Sequence, residues 1–117
     1  MKNKRNFLKK QIFILENLHK KNKEFYITIH GESMMPSLSD GQKIRIIPIK
    51  CYDKEIEEGD VILFSKFPSH MTVHRVYEVK KMCSETFYWT KGDNNTCPDN
   101  YYVKKKDIVG ILPNLKK

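Results

Sequence analysis

Apolar residues recur along the chain at two different periods, and the period changes after Lys23. Over residues 6–20 the positions Phe7, Leu8, Ile12, Ile14, Leu15 and Leu18 recur at spacings of three, four and seven. This spacing predicts one amphipathic helix. Its other face carries Lys9, Lys10, Lys20 and Lys21. Such a helix either packs on the domain or lies on an anionic membrane surface or a partner protein. From Phe25 to His30 the residues are β-branched and aromatic, and Gly31–Gly41, with Pro36, is rich in turn formers. Ile44–Ile49 and Val61–Phe64 read as strands, with Asp53–Gly59 an acidic loop between them. Met71–Val79 alternates, which predicts a strand with Met71, Val73, Tyr77 and Val79 on one face. Thr86–Thr90 and Ile108–Leu112 are further strands, and the polar stretch Gly92–Asn100 is a loop. The expectation is a mainly β fold: a small antiparallel sheet or partial barrel with one N-terminal amphipathic helix. Residues 1–24 form the basic helical segment and residues 25–117 the β domain.

Composition narrows the picture. A chain of 117 residues suffices for one hydrophobic core and leaves no room for a second full domain. Lys and Arg number 22 against 14 Asp and Glu, a formal charge of +8. That balance favours anionic lipid, acidic peptide or nucleic acid as a partner. The charge is uneven: Glu16 is the only acid in residues 1–23, and Lys104, Lys105, Lys106, Lys116 and Lys117 form a second basic cluster. The three cysteines, Cys51, Cys83 and Cys97, are odd in number and lack a CxxC spacing. A disulfide framework and a zinc site are therefore not expected, and free thiols suit a reducing compartment. No run approaches the ~18–20 apolar residues of a membrane span. Gln11–Leu18 is too short and too polar for a secretory signal peptide. The expected location is cytoplasmic or peripheral at a membrane surface.

Three segments carry candidate chemistry. A hydroxyl nucleophile needs a base, a group that orients the base, and donors for the developing oxyanion. Ser33 lies in Gly31-Glu-Ser-Met-Met-Pro-Ser-Leu38, just after a predicted strand and in a bend limited by Pro36. Read alone, Ser33 is as well explained as a turn cap. His74 lies in Thr72-Val-His-Arg-Val-Tyr77, and a neutral imidazole can accept a hydroxyl proton near physiological pH. His30, His70 and His19 compete with it for that role. Lys91-Gly-Asp-Asn-Asn-Thr-Cys-Pro-Asp99 supplies Asp93 and Asp99, either of which could hold the imidazole. Read as a calcium loop, the same stretch lacks the EF-hand spacing and its terminal Glu. No metal or cofactor is implied.

The order of these segments carries more than any one of them. Ser-Met-Met-Pro, Gly59-Asp-Val-Ile62, His74-Arg-Val, Lys91-Gly-Asp-Asn-Asn with Asp99, and Asp107-Ile-Val-Gly110 together resemble the type I signal peptidases. The resemblance runs from about Phe25 to Leu112. It is to the branch of the endoplasmic reticulum, archaea and some spore-forming bacteria, which has His where common bacterial enzymes have a catalytic Lys. The LexA-type peptidases share the fold and the Ser-Met-x-Pro bend but use Lys. The resemblance implies a signal-peptidase/LexA-like β fold, Ser33 as nucleophile and His74 as base. It implies Asp99 as the orienting acid, with Asp93 the alternative, and Met34 and Pro36 beside the substrate. It also implies an oxyanion site of backbone N–H groups that includes Ser33, and a precursor peptide bound as an extended strand. Family members usually carry a transmembrane helix. Its absence from this sequence leaves the basic helix as a surface anchor, or a soluble enzyme that trims a specific precursor.

Two rivals follow from the same residues. A catalytically silent relative would bind peptides as an interaction module. A nucleic-acid-binding β domain would use the charge with Tyr88, Trp89, Tyr101 and Tyr102 as stacking platforms, but that reading leaves the ordered motif unexplained. Self-cleavage, as in LexA-type relatives, lacks an evident cleavage segment.

Overall fold

Val61-Ile-Leu-Phe64 has no polar member, so a strand made from it must be covered on both faces. The computed structural model describes residues 24–67 and 70–116, and in it all four of these side chains are buried. The predicted helix over 6–20 lies outside the described residues. The strands are β1 (Phe25–Thr28), β2 (Lys43–Pro48), β3 (Val61–Phe64), β4 (Thr72–Met82), β5 (Glu85–Lys91), β6 (Tyr102–Lys104) and β7 (Ile108–Leu112). They form one seven-stranded sheet in the order β1-β2-β7-β3-β4-β5-β6, and every pairing is antiparallel.

Each face of the sheet has its own core. Phe25 of β1, Ile44 and Ile46 of β2, Val61 and Leu63 of β3 and Leu112 of β7 pack on one side, with Met71 and Val73 against them. Strands β1 and β4 are separated by three others in the sheet order, so sharing a core requires the sheet to curl. This agrees with the expected partial barrel. The other face buries Ile62, Phe64, Val76, Tyr88, Val103, Ile108 and Ile111, with Ile56 packed among them. Phe64 has no exposed surface, and truncating such a residue to Ala typically costs about 3–5 kcal/mol.

Three local features depart from the sequence pattern. Val76 pairs with Thr90 and Glu78 with Trp89, so Tyr77 is an extra residue in a β-bulge. The bulge reverses the side-chain phase. Met71 and Val73 face the first core, Val79 faces the second, and Tyr77 is 41% exposed. The single apolar face expected for Met71, Val73, Tyr77 and Val79 is therefore corrected. Strand β4 runs on to Met82 and turns through Cys83 and Ser84, both at positive φ (50° and 66°). That is the backbone of a two-residue hairpin turn, though the Asn-Gly that usually signals one is absent. Strand β6 directly follows the polar loop, where no strand was expected, and its Val103 is fully buried. None of the three cysteines is joined in a disulfide.

Candidate active site

The bend that holds Ser33 is built by its ends and its anchors. Ile29 donates its N–H to Gln42 O and Gly41 donates to Ile29 O, both at 2.8 Å, which closes residues 29–42 into a loop. Gly31 sits at φ 95°, a conformation L side chains rarely adopt, and its N–H donates to Asp40 Oδ1 at 2.7 Å. Met34 and Leu38 are each 2% exposed and pin the loop into the first core. The Leu38 N–H donates to Met34 O at 2.9 Å, and the Met35–Pro36 bond is cis. Ser33 is left half-buried between these anchors.

His74 stands on β4 opposite Ile62 of β3, so its ring points to the second face, where Phe64 meets it edge-on at a centroid distance of 6.4 Å. Its Nε2 lies 3.2 Å from Ser33 Oγ, and its Nδ1 lies 2.7 Å from Asp99 Oδ2. An ionised carboxylate only accepts hydrogen bonds, so Nδ1 carries the proton and donates it to Asp99. In the neutral ring Nε2 then has a lone pair facing the serine hydroxyl. His74 is 7% exposed. His30 and His70 are exposed and line the same groove, but the hydrogen bond to Ser33 is made by His74. His19 lies outside the described residues.

Asp93 sits elsewhere. Its carboxylate accepts from Arg75 Nε at 2.9 Å, from Arg75 Nη2 at 2.8 Å and from Ser37 Oγ at 2.6 Å. The remaining Arg75 nitrogen, Nη1, donates to Gly59 O at 2.7 Å and Leu115 O at 2.6 Å. This two-pronged pair is nearly closed to solvent, with side chains 10% and 6% exposed. It ties the Ser33 bend to β4, the turn before β3 and the C-terminal segment. The same loop grips the bend through backbone: Asn94 donates its N–H to Ser33 O at 2.8 Å, and the Asp93 N–H donates to Met34 Sδ at 3.4 Å. Gly92 permits that approach, because a Cβ there would lie 2.7 Å from Ser33 O and 2.7 Å from Asn95 Nδ2.

Met34 borders the groove beside Ser33, whereas Pro36 is exposed and outside the groove lining. The groove encloses about 580 Å³ between β1 and the start of β4, and Ile27, Thr28, Met71, Val73 and Tyr101 are among the residues that line it. Tyr101 packs edge-on against Phe64 and Phe67. Burial, and next the nearby Asp99 charge, raise its pKa above the ordinary tyrosine value. In the sequence Arg75 stands out only as part of the His74-Arg-Val motif, and Tyr101 only among the aromatics of a nucleic-acid surface. The signal for Arg75 was a guanidinium within an otherwise apolar alternation.

A hydroxyl, an imidazole and a carboxylate joined in this order on a curled β-sheet suit a peptidase with a hydroxyl nucleophile. Comparison with known families agrees: the Peptidase S24-like family model matches residues 3–112, and the chain belongs to this family. Among characterised proteins, signal peptidase I W of Bacillus subtilis (strain 168) is 32% identical over 76 residues, or 65% of this chain. The chain spans about 40% of that relative's length. Among the described residues no helix is long and apolar enough to cross a membrane.

Proposed function

We propose that this protein is a serine endopeptidase that removes a signal or leader peptide from a precursor through an acyl-enzyme. The observation that carries the reading is the continuous chain from Asp99 Oδ2 to His74 Nδ1 at 2.7 Å and from His74 Nε2 to Ser33 Oγ at 3.2 Å. As Ser33 Oγ attacks the scissile carbonyl carbon, His74 Nε2 takes its proton, and Asp99 stabilises the imidazolium. The backbone N–H of Ser33 is the proposed donor to the oxyanion. Collapse of the tetrahedral intermediate breaks the C–N bond, and His74 returns the proton to the leaving amine. A water deprotonated by His74 then hydrolyses the Ser33 ester.

The substrate lies extended in the groove. Among the described residues strand β1 lies at the edge of the sheet, so its outward backbone groups can pair with a peptide. The reading places the chain in the His-using branch, since the base position carries His74. The basic segment at residues 1–23 is its proposed contact with an anionic membrane surface. The test is cleavage of a defined pool of synthetic precursor peptides, followed by mass spectrometry. Wild type is expected to cut, and Ser33→Ala and His74→Ala are expected not to. Cleavage by either variant at the wild-type rate would overturn the assignment.

A further inference from the structure

The relay does not end at Asp99. We infer that Thr90 is a positioning residue that holds the Asp99 carboxylate for His74, an inference that rests on the catalytic reading above. Thr90 lies on the same face of β5 as Tyr88, and it is a polar side chain with no exposed surface. Its partner across the ladder is Val76 of β4, two residues from His74 and on the same side of the sheet. Thr90 Oγ1 donates to Asp99 Oδ2 at 2.7 Å, and the Asp99 N–H donates back to Thr90 O at 3.0 Å. These two bonds cinch the loop between residues 90 and 99 at its base, while Asn94 fastens its tip to Ser33 O.

The chemistry of the bond gives it a direction. A hydroxyl has one proton and an ionised carboxylate has none, so the Thr90 proton must point at Asp99. Asp99 Oδ2 then receives two donors, Thr90 Oγ1 and His74 Nδ1, each at 2.7 Å. One donor leaves a carboxylate free to swing about its side-chain torsion, whereas two from different strands do not. With Asp99 so fixed, the imidazole keeps the orientation that aims Nε2 at Ser33. Thr90 touches neither substrate nor nucleophile, so it acts through Asp99. Buried hydroxyls also fill space, and a merely structural role would survive replacement by a residue of the same shape.

The test compares Thr90→Val, Thr90→Ala and Thr90→Ser. Valine keeps the shape without the hydroxyl; serine and alanine differ by the hydroxyl alone. On a peptide cleaved by wild type, Thr90→Val and Thr90→Ala are expected to lower kcat by about 10–100-fold with KM within about twofold, as for lost supporting partners of a reacting group. Thr90→Ser is expected to stay within about threefold of wild type. A second readout needs no substrate: the proton NMR resonance of the His74 Nδ1–H, assigned by its loss in His74→Gln. It is expected to move or broaden in Thr90→Val and Thr90→Ala and to hold its place in Thr90→Ser. Unchanged kcat and an unchanged resonance in Thr90→Val would overturn the inference, as would equal loss in serine and alanine. Should wild type cut no peptide, the catalytic reading fails, and the resonance still decides whether Thr90 holds Asp99.

Discussion

Asp93 and Asp99 lie on one loop, and separating their roles takes a stability measurement as well as an activity measurement. Asp93 and Arg75 are joined by two hydrogen bonds of 2.9 and 2.8 Å with little solvent access. Removing one partner of such a pair strands a buried charge, at about 3–5 kcal/mol. Asp93→Leu and Arg75→Met should each therefore lower Tm by about 10–20 °C in a domain of this size. The double variant has no stranded charge. It still lacks donors for Gly59 O and Leu115 O, both held by Arg75, and each costs about 1–1.5 kcal/mol. Its cost should be about that of one single variant, giving a coupling of at least about 2 kcal/mol in a double-mutant cycle read by urea denaturation. Asp99→Asn should instead keep stability within about 1 kcal/mol and lose about 10⁴-fold in cleavage, because the imidazole is then held in the wrong tautomer. Additive single costs, or singles below about 1 kcal/mol, would refute the role assigned to the pair.

Three further outcomes follow from the structure. A Cβ at Gly110 would sit 2.5 Å from Ile47 O and 2.5 Å from Ile46 Cγ2, so Gly110→Ala should cost about 1–3 kcal/mol in thermal or urea unfolding; Gly92→Ala pushes on Ser33 O and should impair cleavage more than it impairs stability. Tyr88 and Tyr101 have raised pKa values, each mainly through burial, with Glu55 and Asp99 adding to the effect respectively, and Tyr52 is raised by burial and Asp60. Folding thus favours their neutral phenols, a contribution present below the ordinary value of 10.0 and lost as pH climbs through the folded values. Ultraviolet titration should find these three phenols ionising above the ordinary tyrosine value, with stability falling over that range; their ionisation at the ordinary value in the folded state would contradict this.

The strands Val61–Phe64 and Ile108–Leu112 were legible because uninterrupted apolar runs have few alternatives once a sheet forms. Ser33 and His74 were legible through the order of their motifs, not through local pattern. What the sequence hid has physical causes. A bulge at Tyr77 adds one residue to one strand, and nothing in a period-two pattern marks where the phase will flip. The turn at Cys83-Ser84 uses residues that tolerate positive φ poorly, so no local signal announces it. Strand β6 is only three residues long and gains its stability from pairing with β5. The choice between Asp93 and Asp99 depended on which carboxylate faced β4's histidine and which its arginine. His74 and Arg75 are adjacent and point to opposite faces, so each takes one acid. Thr90 was hidden for a related reason, since its value lies in a loop that returns nine residues later.

The central claim is that Ser33, His74 and Asp99 act together on a peptide bond. Its most direct test is the peptide-pool cleavage assay run on wild type, Ser33→Ala, His74→Ala and Asp99→Asn, each first shown to be folded by circular dichroism. The account predicts new termini with wild type only, with each variant reduced by about 10³-fold or more. Folded variants that cut the same bonds at wild-type rate would contradict it.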